Sequence, residues 1–230
     1  MTILLYDLVG SDMTRPFSPH CWKAAMALAH KGLDYRSVPT RFLDVSAVEG
    51  GASKTVPVIR DGDVVVADSF AIALYLEQAY PDRPSLFEGA GGEAHARFVE
   101  RWSQLTIHPY IGAAALTALH GMQDAANAAY FRESREARFG KSLEEVSAAR
   151  DAGLQSFRAS LEPLRSMLSY QPWIGGDGPL FADYIVFGAL QWARIATPYQ
   201  LLDAADPIAA WFGRCLELHD GLAGHVAAAA

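Results

Sequence analysis

Cysteine is scarce in this chain: its 230 residues include only Cys21 and Cys215, which lie far apart in the sequence. Because the chain reads as cytosolic, where disulfides are rare, this usage disfavours a structural disulfide. The seven histidines are scattered, and no group of His, Cys and Asp residues has the spacing of metal ligands. We therefore expect neither a disulfide nor a bound metal.

Long apolar runs and clusters of positive charge are also missing. No window reaches the roughly 18 uninterrupted apolar residues of a membrane-spanning helix, although hydrophobic residues make up 51% of the chain. The N-terminus, Met1-Thr2-Ile3-Leu4, has neither the basic region nor the cleavage site of a secretion signal. The net charge of −7 and the lack of a Lys/Arg run disfavour binding to nucleic acid. We expect a cytoplasmic protein with no membrane or nucleic-acid partner.

What the chain does contain differs between its two parts. As far as Tyr80, short β-rich runs alternate with helical patterns in an order typical of a thioredoxin-like unit. Gly32 stands where the first helix, predicted over 19–30, should stop, and Asp61-Gly62 supplies a hairpin turn. The other predicted elements are Ile3 to Tyr6, Tyr35 to Val38, Val56 to Ile59, Asp63 to Ala67 and Ser69 to Gln78. We expect a thioredoxin-like α/β domain over 1–82.

The remainder of the chain predicts helices alone. A turn-rich linker over 83–93 precedes an all-helical domain over 94–230. Three features mark its helices: apolar side chains at helical spacing, a capping box, and an N-cap followed by proline. These are Phe98-Trp102-Leu105, Ser142-Leu143-Glu144-Glu145 at the start of one long helix toward Leu168, and Asp206-Pro207. The predicted fold class is α/β followed by all-α.

The segment Ser18-Pro19-His20-Cys21 lies between the first strand and the first helix, where thioredoxin-like folds carry a reactive CPxC turn. Here serine stands at the nucleophile position, and a serine can only donate or accept a hydrogen bond. Proline suits the first position of a helix, so Ser18 is also a predicted N-cap. Because the N–H groups of a helix N-terminus stabilise an anion such as a thiolate, Ser18 is interpreted as a plain cap or as a residue that activates a ligand's thiol. Glutathione is the obvious candidate.

Two further segments of this part could bind the rest of such a ligand. A cis peptide at Val56-Pro57 would leave the Val56 backbone free to pair with a bound peptide, whereas a trans proline would only mark a strand end. Asp68-Ser69 begins the second helix, where Asp68 could bind an ammonium group and Ser69 a carboxylate; the alternative is a plain cap. Lys54 could pair with a second carboxylate or be merely solvated.

In this order and spacing, the three motifs resemble those of the glutathione S-transferase family. Ser18-Pro19 is similar to the family's activating serine, Val56-Pro57 to its cis-proline, and Asp68-Ser69 to the pair that binds the γ-glutamyl end of glutathione. The resemblance covers essentially the whole chain. Three segments of the helical part look most like the bacterial β-aryl-etherase branch and its fungal relatives: Leu161-Glu162-Pro163-Leu164-Arg165, Trp173-Ile174-Gly175-Gly176-Asp177 and Phe181-Ala182-Asp183-Tyr184.

The resemblance implies a homodimeric glutathione transferase with glutathione as co-substrate, a detoxification enzyme of the cytoplasm. Ser18 would stabilise the glutathione thiolate, and Lys54, Val56, Pro57, Asp68 and Ser69 would bind the rest of the tripeptide. The thiolate would attack an apolar or aromatic electrophile held between the two domains. Cleavage of a β-aryl ether is the sharper expectation within that class.

The chain also departs from the family pattern. The approach to the motif, residues 9–17, is longer than in most members, so Ser11 and Thr14 are fallback candidates for the activating hydroxyl. Tyr6 is a third candidate, although its place within the first strand favours a packing role. Many members carry Ser or Thr three residues before Asp183, where this chain has Leu180, so Asp183 must satisfy that helix start alone.

Two other functions stay open. Cys21 could serve a glutathione-dependent thiol oxidoreductase, or the chain could be a non-catalytic protein that binds hydrophobic ligands. His20 and Tyr110 are candidates for the second-substrate side, although most aromatic residues of the helical part are expected in the core.

Overall fold

The computed structural model describes residues 2–230. The N-terminal part contains four strands and two helices, which are β1 (Ile3–Leu8), α1 (Pro19–His30), β2 (Tyr35–Thr40), β3 (Val58–Asp61), β4 (Val64–Ala67) and α2 (Ser69–Ala79). The strands form one mixed sheet of order β2-β1-β3-β4, with β1 parallel to β2 and antiparallel to β3. A parallel pair needs a crossover connection, which α1 provides. The thioredoxin-like prediction is confirmed.

Local signals set the ends of α1. Ser18 has extended backbone angles and Pro19 occupies the first helical position, where its missing N–H costs nothing. At the other end Gly32 adopts a φ of 61°, the left-handed conformation that glycine tolerates best. Between β2 and β3 the chain forms a 3₁₀ segment, Phe42–Gly50, which the sequence pattern did not predict.

The second part of the described chain is helical. Its elements are α3 (Ala90–Trp102), a π-helical turn (Ser103–Ile107), α4 (His108–Ala114), α5 (Leu116–Gly121), α6 (Ala125–Phe139), α7 (Leu143–Ala148), α8 (Arg150–Ser160), α9 (Glu162–Leu168), α10 (Phe181–Ala196) and α11 (Pro207–Gly221). Helix α10 is its centre, with side chains buried on nearly every face. None of the helices within residues 2–230 is both long and apolar enough to cross a membrane.

One sequence prediction for this part is wrong. The capping box at Ser142 does begin a helix, but the stretch to Leu168 is divided into α7, α8 and α9. Pro163 contributes to the second break, because a proline ring clashes with the carbonyl four residues earlier. Phe98 and Leu105, which marked the helical spacing, are 71% and 70% exposed.

The two parts share a tightly packed interface between α1 and α10. A β-carbon added at Gly188 of α10 would lie only 2.3 Å from the Pro19 carbonyl oxygen. Glycine is therefore required there for the backbones to approach. Buried Lys23 of α1 pairs with Glu100 of α3 at 3.1 Å, which fixes α1 against a second helix. The first turn of α1 is thus held by the helical part.

Candidate functional site

Ser18 lies at the end of the approach segment that connects β1 to α1. The residue is only 4% exposed, and its Oγ accepts a hydrogen bond from the Cys21 N–H at 3.3 Å. The oxygen therefore caps the helix, and the hydroxyl hydrogen remains available to a ligand. Capping and ligand binding are compatible here, because they use different atoms of one hydroxyl.

The other candidate hydroxyls of this region have partners. Ser11 Oγ donates to the Met122 carbonyl at 2.9 Å, and Thr14 Oγ1 donates to Asp12 at 2.7 Å. The Tyr6 hydroxyl donates to Glu49, and this hydrogen bond raises the pKa of Tyr6. A phenol held in this way is poorly suited to donate to a thiolate.

The approach segment, residues 9–17, is fastened to the helical part of the molecule. The Ser11 N–H donates to the Met122 carbonyl at 2.8 Å, and Arg15 Nη2 donates to the Ile195 carbonyl at 2.8 Å. A β-carbon at Gly10 would lie 2.3 Å from the Met122 oxygen, so only glycine permits this approach. The segment that precedes Ser18 is therefore positioned by α5 and α10 as well as by its own sheet.

The peptide bond between Val56 and Pro57 is cis. Val56 is 8% exposed, and its backbone N–H and C=O make no hydrogen bond to any other described backbone group. The Pro57 carbonyl, in contrast, accepts from the Asp68 N–H at 3.2 Å. Nearby Lys54 is exposed and forms no ion pair within residues 2–230.

Asp68 and Ser69 form the N-terminus of α2. Asp68 has a φ of 78°, and its Oδ1 accepts from the N–H groups of Phe70 and Ala71, both at 2.9 Å. The carboxylate is exposed, whereas Ser69 is 2% exposed. One carboxylate oxygen thus caps the helix and the other remains free for a cation.

A pair of stacked imidazoles flanks the start of α1. The rings of His20 and His108 lie 5.2 Å apart with an interplanar angle of 21°. His108 Nδ1 is 3.1 Å from the Ser103 carbonyl, while its Nε2 is buried and has no partner among the described residues. Burial lowers the pKa of His108 to about 4 and that of His20 well below its usual value. Both rings are neutral near pH 7.

His108 was missed by sequence reasoning, whereas Tyr110 was predicted for the same side. The π-helical turn that ends at Ile107 places His108 against His20, and this irregularity has no simple sequence signal. Tyr110 instead lies in the packing between α4 and α8. Its ring stacks on Phe157 with 4.3 Å between centroids, and its hydroxyl donates to the Arg150 carbonyl at 2.7 Å.

The second residue that sequence reasoning missed is Asp7 of β1. Its side chain is 5% exposed, and Oδ1 has no hydrogen-bond partner within residues 2–230. Burial raises the pKa of Asp7 to about 7. Cys21 lies beside it, fully buried, and burial raises the pKa of that thiol as well. The sequence signal that could have identified Asp7 is a single carboxylate within an otherwise apolar strand.

Comparison with protein families assigns both parts of the chain. Residues 13–84 match the family model for the glutathione S-transferase N-terminal domain, and residues 94–217 match that for the C-terminal domain. Glutathione S-transferase Z1 of Arabidopsis thaliana is 44% identical over 69 residues, which cover 28% of this chain and 31% of that protein. The match thus spans about a third of the length of this plant relative. A glutathione S-transferase-like protein, ustS of Aspergillus flavus, is 25% identical over 79% of this chain and 75% of its own length.

Solved structures show the same architecture over nearly the whole chain. Glutathione transferase GSTFuA3 of Phanerochaete chrysosporium superposes with a TM-score of 0.76 at 28% identity, covering 96% of this chain and 92% of that one. CsGST83044 of Ceriporiopsis subvermispora, solved in complex with glutathione, has a TM-score of 0.74 at 23% identity and covers 98% and 96%. From its two matching domains and this shared fold, the chain is a member of the glutathione S-transferase family.

Proposed function

We propose that this protein is a glutathione transferase in which Ser18 activates the glutathione thiol. The observation that carries the proposal is the position of the Ser18 hydroxyl at the N-terminus of α1, with its oxygen capping the helix and its hydrogen available. A thiolate at this place would receive a charge-assisted hydrogen bond and the favourable field of the helix N-terminus. Both effects lower the thiol pKa and increase the thiolate present near pH 7.

The remaining predicted residues would hold the tripeptide. The unpaired backbone groups of Val56 can pair with the peptide portion of glutathione as an added strand would. The free oxygen of Asp68 can accept from the α-ammonium group, and the N-terminus of α2 at Ser69 can bind the neighbouring carboxylate. Lys54 is free to pair with the other carboxylate. These assignments are part of the proposal.

The second substrate, in this proposal, is an apolar or aromatic electrophile. The neutral rings of His20 and His108 offer an aromatic surface beside the thiol site. Thiolate attack on a carbon that bears an aryloxy group would form a carbon–sulfur bond and release the aryloxide, which is a β-aryl-ether cleavage. The resemblance of three segments of the helical part to the bacterial etherase branch is the reason for this choice within the class.

The reading of Cys21 as a redox nucleophile is disfavoured by its environment. The thiol has no exposed surface, and burial followed by the charge of Asp7 raises its pKa. A reactive cysteine requires the opposite combination of exposure and a lowered pKa. Ligand binding without catalysis is the remaining alternative, and the experiment on Ser18 separates it from the proposal.

The first test is a pH titration of the ultraviolet thiolate absorbance of bound glutathione in the wild type and in Ser18→Ala. We expect the wild-type thiol to titrate well below free glutathione, and the variant to return toward the free value by about one pKa unit or more. One unit corresponds to about a tenfold loss of thiolate. Ser11→Ala is the matched control and should leave the curve unchanged, since Ser11 bonds to Met122. Identical curves for the wild type and Ser18→Ala would contradict the assignment.

The proposal includes a domain division and a cytoplasmic homodimer. The boundaries are 1–82 for the glutathione-binding domain, 83–93 for the linker and 94–230 for the helical domain.

Phe98 and Leu105 are large, exposed apolar side chains on one helical stretch, and the edge strand β4 exposes Val64 at 44%. We take Phe98 and Leu105 as the candidate dimer surface, because exposed apolar patches mark contacts with another protein. We expect a dimer by light scattering for the wild type and a monomer for Phe98→Glu.

A further inference from the structure

Asp7 faces the underside of the helix that carries the thiol site. Successive side chains of a strand point to opposite faces of the sheet. Tyr6 points toward the 3₁₀ segment, where its hydroxyl bonds to Glu49. Asp7 therefore points to the other face, on which α1 packs. Cys21 of α1 contacts the strand at this point, with its Sγ 3.8 Å from the Tyr6 carbonyl oxygen.

Cys21 connects Asp7 to Ser18. Its thiol is fully buried against β1 beside Asp7, whose charge raises the pKa of the thiol. Its backbone N–H also donates to Ser18 Oγ at 3.3 Å. A charge at Asp7 is therefore separated from a ligand at Ser18 by one buried side chain, in a region that water barely enters. Charges interact strongly across such a medium.

Two negative charges at this place would disfavour each other. A carboxylate with a buried and unpartnered Oδ1 is already costly, because nothing replaces its lost hydration. A thiolate at Ser18 would add a like charge nearby, and two like charges in one site raise the pKa of one of the acids. The site consequently holds one negative charge more readily than two.

This reasoning deepens the proposed function and rests on its glutathione site. We infer that Asp7 takes up the proton that the glutathione thiol gives up on binding beside Ser18. The sulfur–hydrogen bond breaks, an oxygen–hydrogen bond forms at Asp7, and the single negative charge moves from the buried carboxylate to the sulfur. Asp7 does not contact the ligand, so its role is to accept the proton and not to bind glutathione.

The groups that face Asp7 leave it as the one that titrates near neutral pH. On α1 the facing group is Cys21, whose pKa is raised by burial and then by the charge of Asp7. On β2 it is Tyr35, whose pKa burial raises to about 12. Both are therefore neutral near pH 8. His20, at the start of α1, also does not change its protonation near pH 8, because burial holds its pKa far lower.

The test counts protons when glutathione binds. Calorimetric titrations near pH 8, in buffers of different ionisation enthalpy, give the protons released per site. The ultraviolet absorbance of the same samples gives the thiolate formed. In the wild type we expect fewer protons released than thiolates formed, by about half a proton or more, since a carboxyl with a pKa of about 7 is mostly ionised before binding. In Asp7→Asn the two numbers should agree.

Asp12→Asn is the matched control, because Asp12 is an exposed carboxylate of the approach segment that is ionised with and without ligand. It should keep the wild-type difference. The wild-type measurement stands alone should Asp7→Asn fail to fold. Equal numbers of protons and thiolates in the wild type would overturn the role of Asp7 while leaving the proposed function intact. Absence of glutathione binding, or of bound thiolate, would overturn both.

Discussion

At the scale of single residues, several side chains of the site serve the fold and the ligand with different atoms. Asp68 shows this most clearly, since one oxygen caps α2 and the other is free. Its backbone angles, φ 78° and ψ 130°, lie outside the regions that residues with a β-carbon normally adopt. The two roles can therefore be separated by choice of substitution.

Asp68→Asn keeps the capping oxygen and removes the charge. We expect glutathione affinity to fall about tenfold, the value of a hydrogen bond to a charged group, with the free energy of unfolding changed by less than about 0.5 kcal/mol. Asp68→Ala removes the cap as well and should cost about 1–2 kcal/mol more in stability. Calorimetric affinity and denaturant unfolding measure the two effects. A stability loss in Asp68→Asn equal to that in Asp68→Ala would show that the charge itself is structural.

Sequence patterns locate contiguous motifs and miss residues that meet only in the fold. Ser18, the Val56-Pro57 peptide and Asp68 each belong to a local signal, a cap or an X-Pro bond, and could be identified as candidates from it. Asp7 and His108 become candidate functional residues only through contacts with residues that are distant in sequence. Asp7 lies beside Cys21, and His108 stacks on His20. Tyr110 was predicted for the second-substrate side, but its ring stacks on Phe157 and its hydroxyl donates to the Arg150 carbonyl within the helical part.

At the scale of elements, the first helix was predicted to the residue, because a Ser-Pro start and a Gly stop are both local. The division of the later stretch into α7, α8 and α9 was not predicted, because the break at Ala149 has no proline or glycine beside it. Asp183 met its expectation: with Leu180 unable to cap, its carboxylate accepts from the Leu180 N–H at 3.0 Å. It also accepts from the Trp211 indole at 2.9 Å, a contact that only the fold provides.

The contact between α1 and α10 gives an element-scale prediction. Gly188→Ala would press a methyl group against the Pro19 carbonyl, so the two helices must move apart. We expect a loss of about 1–3 kcal/mol in the free energy of unfolding, the usual cost of overpacking. Because Ser18 precedes Pro19, the thiolate absorbance of bound glutathione should fall as well.

Gly213→Ala is the matched control for that substitution. Gly213 lies in α11 with open space around it, and alanine is favoured over glycine in a helix. Its stability should stay the same or rise by up to about 1 kcal/mol in the same denaturant titration. Equal losses for the two variants would mean that Gly188 is not a site of close approach.

At the scale of the whole molecule, a partly buried hydrogen-bond network joins the two parts. His30 of α1 lies 2.7 Å from the Tyr184 hydroxyl of α10, which lies 3.2 Å from His219 Nε2 at the end of α11. The second nitrogen of His30 is 3.0 Å from the Ser85 carbonyl. Burial lowers the pKa of both histidines, that of His219 to about 4. The folded state therefore favours the neutral rings.

Stability should consequently decline as the solution becomes acidic. The unfolded histidines bind protons below their usual pKa near 6.5, whereas folded His219 remains neutral until about pH 4. Between about pH 7 and pH 5, we expect His219→Gln to lose about 1 kcal/mol less than the wild type, a figure reduced for the partial exposure of the ring. Exposed His225→Gln is the control and should follow the wild type. Parallel pH curves for all three proteins would contradict the prediction.

The approach segment has a consequence for how such proteins can be recombined. Ser11 and Arg15 donate to the main-chain carbonyl groups of Met122 and Ile195, and Gly10 packs closely against the Met122 oxygen. A substitution at Met122 therefore leaves its oxygen in place, whereas Ile195 is also a fully buried core residue. A chimera that joins this N-terminal half to a helical half of different curvature keeps the serine but loses its anchors. Its thiol chemistry would fail although every motif had been transferred.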